Sequence, residues 1–400
     1  MPASSSSPSV PFGAVTESGL PSKRLDAAES ISLLQALAAV PDRRGARGRR
    51  HSLQSVLLLA LGAVLAGACS YAAITDWAAV AGHRVALAGR PPWASTIRRV
   101  LTAVDAAAVE AALTGWVLSR RAAVAQQAAL GARPRAEARC VLAADGKTLR
   151  GARRSAGRST QLISAYDPAH RLLLAQAAVI EGTELAAFPR LLATLPALAD
   201  VLISADALHC QREHAVWLHD RGGHYLFTVK GNQKSLRRAV AALPWGQVPG
   251  SRRRQRGHGR IESRSVKVID LDGHRLQALF PHARRAIKVV RSRRRQASGA
   301  RSVEVVYAVT SLDHRQADPA LLAGWIQDHW LIENAVHHVR DVTQREDASS
   351  VRAGSGPQVM AALRNTALNL HRLAGHTNIA RAQRQAGWRA TTTLEILTTA

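Results

Sequence analysis

The order of apolar runs between residues 140 and 342 predicts an α/β fold, on three observations. Short apolar runs at Cys140–Ala144, Gln161–Ala165 and Arg171–Val179, separated by polar turns, read as a three-stranded meander. A helical stretch, Glu184–Leu195, then leads into a fourth apolar run, Val201–Ala205. Further helix and strand units follow, and a strong helix closes the order at Asp318–Val342.

Residues 1–25 are rich in Ser, Pro and Gly and read as a disordered tail. Residues 26–135 read as a small helical domain and connector. Leu33, Leu34 and Leu37, then Leu53, Val56 and Leu57, then Ile74 and Trp77 recur at helical spacing, with a break at Pro41-Asp42. Ser95-Thr96-Ile97 opens another helix that runs to Leu118, and the Ala-rich stretch Arg120–Arg139 is the expected connector. Residues 136–375 form the expected α/β domain. After its fourth strand come a helix, Gln211–Arg221, and a strand, Tyr225–Val229. An insertion at about 240–312 carries β runs at Arg260–Ile269, Ala286–Val290 and Val303–Val309 between Arg-rich turns. A helix at Gln358–Leu373 and a helical tail over 376–400 complete the chain. Three strands, a helix, a fourth strand and more α/β units match the ribonuclease-H-like arrangement, here preceded by a small all-helical domain and carrying a basic β insertion.

With 47% hydrophobic and 20% charged residues the chain is neither fibrous nor disordered. Its 54 Lys and Arg against 28 Asp and Glu leave a formal net charge of +26, which calls for a polyanionic partner. Cys69, Cys140 and Cys210 are too few and too widely spaced for a disulfide framework or a metal clip, which suits a reducing cytoplasm. The N-terminus lacks a basic segment followed by an apolar one, so no secretory signal is expected. Ser52–Thr75 is uncharged and follows a basic run, but its apolar part, Val56–Cys69, falls short of the ~20 residues that cross a bilayer. A buried helix, not a membrane span, is the expectation.

Phosphodiester chemistry on DNA is commonly run by two divalent cations about 3.5–4 Å apart, held by carboxylates. Acids are scarce here, so their positions inform. Asp145 closes the first strand in VLAADGKTLRG, with Gly146 allowing close backbone approach at the expected turn. Asp206 ends the fourth strand in VLISADALH. The ends of strands are where ligands bind in an open α/β sheet. On the closing helix His329, Glu333, His337 and Arg340 lie at i, i+4, i+8 and i+11 and share one face. Asp341, Glu346 and Asp347 compete to be the third acid, and spacing does not choose among them. The GKT at Gly146–Thr148 lacks the earlier glycine of a phosphate-binding loop, because Val141 holds that place. His209, Cys210 and His214 lack zinc spacing and are assigned to packing.

Five segments carry a resemblance: DGKTLRG (Asp145–Gly151), SADALH (Ser204–His209), YLFTVKGNQKSL (Tyr225–Leu236), HGRIESR (His258–Arg264) and the run from His329 to Asp347. They resemble the H-repeat-associated (ISAs-one) insertion-sequence transposases of the DDE superfamily. Val40–Ala78 looks like that family's transposase-associated domain, and Leu363–Ala380 resembles its tail, so the likeness covers about residues 30–385. It implies a ribonuclease-H-like core whose triad Asp145, Asp206 and Glu333 binds two Mg²⁺, with Mn²⁺ a possible substitute, and it selects Glu333 over Asp341. Related transposases carry a Tyr-Arg-Glu-Lys signature on this helix. Ile326, His329, Glu333 and Arg340 stand in those places here, Arg340 keeping the positive charge.

The implied activity is DNA strand cleavage at the element's ends, followed by in-line attack of the freed 3′-OH on target DNA without a covalent enzyme intermediate. His329, His337 and Arg340 are expected to orient Glu333 or the scissile phosphate. Expected phosphate contacts are Lys147 and Arg150, then Lys230, Asn232, Gln233 and Lys234 where a strand opens into a helix N-terminus. Others are His258, Arg260 and Arg264 along one strand face and Arg43, Arg44, Arg49 and Arg50 in the helical domain. The expected partners are double-stranded DNA, both terminal inverted repeats and target, and a second copy of the chain that pairs two ends, on the nucleoid of a bacterial cytoplasm. The alternative is a nuclease-only or catalytically inactive, basic DNA-binding relative, which joined DNA products in a Mg²⁺ reaction would distinguish.

Overall fold

The computed structural model describes residues 27–81, 90–131, 139–153, 159–180, 183–257 and 259–398. The expected tail, part of the connector and His258 lie outside these described residues.

Five helices come first: α1 (Ala27–Ala38), α2 (Leu53–Leu65), α3 (Tyr71–Ala81), α4 (Ala94–Ala103) and α5 (Ala106–Gly131). LQSVLLLALGAVL is apolar around its whole circumference, so α2 is buried on all sides from Val56 onward, and the Ser52 hydroxyl caps it by accepting from the Ser55 amide. Among the described residues no single helix is long and apolar enough to cross a membrane. The helix expected over Ser95–Leu118 is two helices. Val104 turns extended, and the Asp105 carboxylate restarts the chain by accepting from the amides of Ala107 and Ala108. α5 then runs on through part of the expected connector.

The sheet begins with β1 (Val141–Arg153), β2 (Ser159–Asp167) and β3 (Leu172–Ala178), paired as an antiparallel meander. After α6 (Glu184–Leu192), the strand β4 (Leu202–Ala205) pairs parallel to β1; α7 (Arg212–His219) then leads to β5 (His224–Val229), parallel to β4. The spatial order β3-β2-β1-β4-β5 is that of a ribonuclease-H-like core. After α8 (Lys234–Ala241), the stretch expected as an insertion holds β6 (Ser251–Gly257), β7 (Arg260–Asp270), α9 (Leu276–Leu279), β8 (Arg285–Arg295) and β9 (Arg301–Thr310). Its strands extend the same sheet in the order β9-β8-β7-β6, with β9 antiparallel to β5. β6 was not among the expected runs, because SRRRQRG has no apolar residue. Its strand character comes from pairing along β7, from Ser251↔Val266 to Gly257↔Arg260.

The first strand is longer than its apolar run. β1 continues through polar Asp145–Arg153 because β2 offers a partner along that stretch, from Asp145↔Ser164 to Leu149↔Thr160. β4, by contrast, stops pairing at Ala144↔Ala205. Asp145 therefore lies within a strand at the point where its neighbour ends, and Gly146 is a strand residue, not a turn.

The chain returns over the sheet as α10 (Pro319–His329), capped by the Asp318 carboxylate and packed against β1, β4 and β7. Two π-helical turns follow, Glu333–His337 and Val339–Thr343. α11 (Gly356–Leu373) is buried along almost its whole length, between β3 on one side and α2 and α5 on the other. α12 (Ile379–Trp388) and α13 (Ala390–Thr398) pack back onto α2.

Candidate active site

Asp145 and Asp206 each stand one residue beyond the last β1–β4 pair, so parallel pairing sets them side by side. Asp206 also caps the short 3₁₀ turn Ala207–His209, its Oδ1 accepting from the Leu208 amide at 2.9 Å. The passage of α10 across β1 and β4 delivers the third acid. Ligand atoms of Asp145, Glu333 and His337 lie within 4.8 Å of one another, with His337 Nδ1 3.6 Å from Asp145 Oδ2 and 3.5 Å from Glu333 Oε2. Burial pushes the Asp145 carboxyl up to about 8, and the charges of Glu333 and then Asp206 add to the rise. The His337 imidazole beside Glu333 holds that carboxyl below its ordinary range. His329 Nδ1 lies 3.2 Å from the Ser204 hydroxyl on β4. Burial lowers its pKa to about 4 against the opposing pull of Asp206, so the ring is neutral at pH 7. Crowded carboxylates with an imidazole and no strong base among them are a donor set suited to a divalent cation.

The π-helical winding decides which side chains reach this cluster. Bonding from i to i+5 puts more residues in each turn than an α-helix holds. Glu333 and His337 stay adjacent along the axis, but side chains farther on lag behind the 3.6-residue expectation. Arg340 is the casualty: it does not share the face of Glu333. Its guanidinium is fully buried, with Nε and Nη2 donating to the Glu346 carboxylate at 3.0 and 2.8 Å and Nη1 to Asn365 Oδ1 at 3.1 Å. Arg364 Nη1 donates to the same carboxylate at 3.2 Å. Arg340 is thus a cross-link in the core and cannot touch a phosphate. Lys147, expected on DNA, is also buried. The alternation of β1 turns it inward with Asp145, and its Nζ donates to Asp341 Oδ1 at 2.5 Å.

Glu184, the first residue of α6, was not read from the sequence. Its Oε1 lies 3.0 Å from His209 Nε2, and its carboxylate rests on Gly146 so closely that a Cβ there would sit 2.1–2.2 Å away. The buried His209 ring stacks on Phe188 with centroids 4.7 Å apart. The available signal was a glycine inside a strand, which marks close approach by another group.

The basic residues divide between exposed and structural. Arg150, Lys230 and Lys234 are exposed. Asn232 Nδ2 donates to the Ala207 carbonyl at 2.6 Å and Gln233 Nε2 to that of Cys210 at 2.9 Å, so both amides brace the turn after Asp206. Arg43 is largely exposed at 3.0 Å from Asp105, and Arg50 is exposed. Arg44 and Arg49 instead fasten their own loop: Arg44 grips the Asp42 carboxylate and the His51 carbonyl, and Arg49 donates to the carbonyls of Asp42 and Arg44. On the insertion, Glu262 gathers Arg291 at 2.7 Å, Arg264 at 3.2 Å, Arg293 at 3.7 Å and Arg260 at 3.8 Å. Four cations around one anion leave this patch strongly positive. A groove of about 170 Å³ between Arg253, Gln255, Glu262 and Arg264 and the Gln327 side of α10 runs along it. A second hollow joins Arg264, Arg291 and Glu304 on the insertion to Ser204, His329 and the exposed Trp330.

Residues 136–370 match the family model described as a transposase DDE domain, and residues 34–117 match the one described as DDE_Tnp_1-associated. The chain is 28% identical over 366 residues to YncI of Escherichia coli O157:H7, covering 85% of this chain and 87% of that one. It is 26% identical over 359 residues to the H repeat-associated YhhI of Escherichia coli K12, covering 86% and 90%. An uncharacterised protein from the dhlA 3′ region of Xanthobacter autotrophicus is 34% identical over 252 residues, 58% of this chain and 78% of that one. Among solved structures, a cryo-EM piggyBac transposase synaptic complex with hairpin DNA aligns over 93% of this chain and 81% of that chain, with 9% identity and a TM-score of 0.40.

Proposed function

The chain belongs to the DDE transposase family, and on that premise we propose that it is a DNA transposase whose Asp145, Asp206 and Glu333 hold two Mg²⁺, Mn²⁺ being able to substitute. Bound there, the ions supply activation of water and stabilisation of the leaving oxygen in phosphodiester cleavage. Asp145 and Asp206 hold fixed positions because strand pairing sets their backbones, and Glu333 is carried in on a helix anchored to both strands. His329, neutral and bonded to Ser204, fills the space beside Asp206 and keeps the floor of the site in place. Cleavage frees a 3′-OH at the element's end, which then attacks target DNA in line.

The observation that carries this reading is the approach of Asp145 and Glu333, from distant parts of the chain, around His337, with Asp206 one residue beyond the last β1–β4 pair. Arg150, Lys230, Lys234 and Arg260, with Arg43 and Arg50 on the helical region, are the surface cations offered to the phosphates of terminal repeats and target, and the half-buried Arg264 lines the groove beside them. The helical region over 26–135 is the DNA-binding domain of this reading and 136–375 its catalytic domain. Two element ends are brought together by a homodimer, on the nucleoid in the cytoplasm.

The test is cleavage and joining of a duplex bearing an element end, with target DNA and Mg²⁺, by wild type and by Asp145→Ala, Asp206→Ala and Glu333→Ala. Each variant should lose both products while keeping its fold by circular dichroism. Wild-type activity in any one of them removes that residue from the triad, and cleavage without joining by the wild type would make the protein a nuclease.

A further inference from the structure

Resting on the reading of this site as a divalent-metal centre, we infer that His337 is itself a metal ligand, placing a nitrogen donor beside the oxygens of Asp145 and Glu333, and that this set favours first-row transition ions over Mg²⁺. His337 is 4% exposed, and its imidazole reaches the cluster from the buried side of the π-helical turn. Its Nδ1 is directed at both carboxylates, 3.6 Å from Asp145 Oδ2 and 3.5 Å from Glu333 Oε2. Those separations exceed the roughly 2.7–3.2 Å of good N–H···O hydrogen bonds. They match instead the edge of a tetrahedron of ligands around a metal: with bonds of about 2.1 Å that edge is about 3.4 Å.

Two further features fit. Nε2 is buried without a hydrogen-bond partner among the described residues, so the ring takes its orientation from what lies at Nδ1. Asp206 is absent from the close triplet, and its Oδ1 is engaged by the Leu208 amide. A cation between β1 and the π-helical turn therefore meets two oxygens and one nitrogen. Imidazole adds little for Mg²⁺, a hard ion that keeps oxygen ligands and its waters, and much for ions such as Co²⁺ or Zn²⁺.

The experiment is metal binding by the full chain without DNA, so the readout is independent of turnover. Co²⁺ affinity is measured by titration calorimetry and by visible absorption, and Mg²⁺ affinity by competition, for wild type, His337→Ala and His337→Gln. The inference expects His337→Ala to weaken Co²⁺ at least tenfold and to dim its absorption, while Mg²⁺ binding changes less than threefold. His337→Gln, which fills most of the same space and offers an oxygen, should keep Mg²⁺ and still lose the Co²⁺ advantage, and it replaces the Ala variant if truncation disturbs folding. Equal losses for both ions would make His337 a positioning group only and overturn the inference; unchanged Co²⁺ binding would overturn it as well. Wild type that binds neither ion would defeat the metal-centre reading itself, a result distinct from either of these.

Discussion

Glu110→Gln should stabilise the protein at alkaline pH and leave it nearly unchanged at acidic pH. Glu110 lies on α5 at the junction of the helical region with β3 and α11, and it is 8% exposed. Its two oxygens accept from Gln176 Nε2 at 2.7 Å and from Gln358 Nε2 at 2.9 Å, and Gln176 in turn accepts from Asn365 of α11. Burial pushes the carboxyl up to about 7 from an ordinary 4.5, the two amides pulling the other way. An acid with a raised folded-state pKa takes up a proton on folding. The penalty is absent below the unfolded value of 4.5, grows as pH rises from there to about 7, and stands in full above it. At about 1.4 kcal/mol for each tenfold change in proton affinity, the full penalty is about 3 kcal/mol. Glutamine is neutral throughout and keeps one acceptor, while the Gln358 amide can turn to accept its new N–H. That exchange costs about 1 kcal/mol, so a net gain of about 2 kcal/mol should remain. Urea denaturation of both proteins at about pH 5 and pH 8 measures it. An equal difference at the two pH values would show that ionisation of Glu110 is not linked to folding and would refute the reasoning.

Three other outcomes follow from the site and its surroundings. Asp145→Asn removes a carboxylate crowded by Glu333 and Asp206, so the metal-free protein at about pH 8 should melt about 2–4 °C higher, and the rise in melting temperature that Mg²⁺ gives the wild type should shrink; calorimetry with and without the ion decides. Gly146→Ala drives a methyl into the Glu184 carboxylate and should cost about 1–3 kcal/mol, most of it recovered in the double variant with Glu184→Ala, so additive losses in the cycle would contradict the contact. Arg340→Ala strips two hydrogen bonds from the buried Glu346 carboxylate, leaves Asn365 Oδ1 without its donor and opens a cavity in the core, and should cost about 3–5 kcal/mol, with cleavage per folded molecule retained. A variant of wild-type stability that no longer cleaves would instead place Arg340 in the chemistry.

Most of the fold was legible because its core strands are apolar runs bounded by turns, and hydrophobic periodicity registers such runs directly. What escaped was structure made by pairing. The polar half of β1 and all of β6 are strands only because a partner lies alongside, and no local pattern announces that. The break between α4 and α5 was hidden for a related reason, since Asp105 acts as a cap within a stretch that is otherwise helical in character.

The acids at strand ends were legible by position, whereas helix spacing left the third open and only the family resemblance singled out Glu333. In a chain with 54 basic residues against 28 acidic ones, most carboxylates find a cation close by, and basic residues near the candidate acids read naturally as phosphate contacts. The structure sorts them. Asp341 is taken by Lys147, Glu346 by Arg340 and Arg364, and Asp347 lies 3.9 Å from Arg150. Among the described residues, Asp145, Asp206 and Glu333 have no Lys or Arg within 4.0 Å, and only His337 approaches two of them. Asp145 shows the consequence: buried beside Glu333 and Asp206 and without a Lys or Arg partner, its carboxyl is pushed up to about 8, a cost that folding alone gives no reason to bear. An imported cation removes it. Asp341 and Glu346 are engaged by buried cations, an arrangement that neither residue type nor spacing reveals.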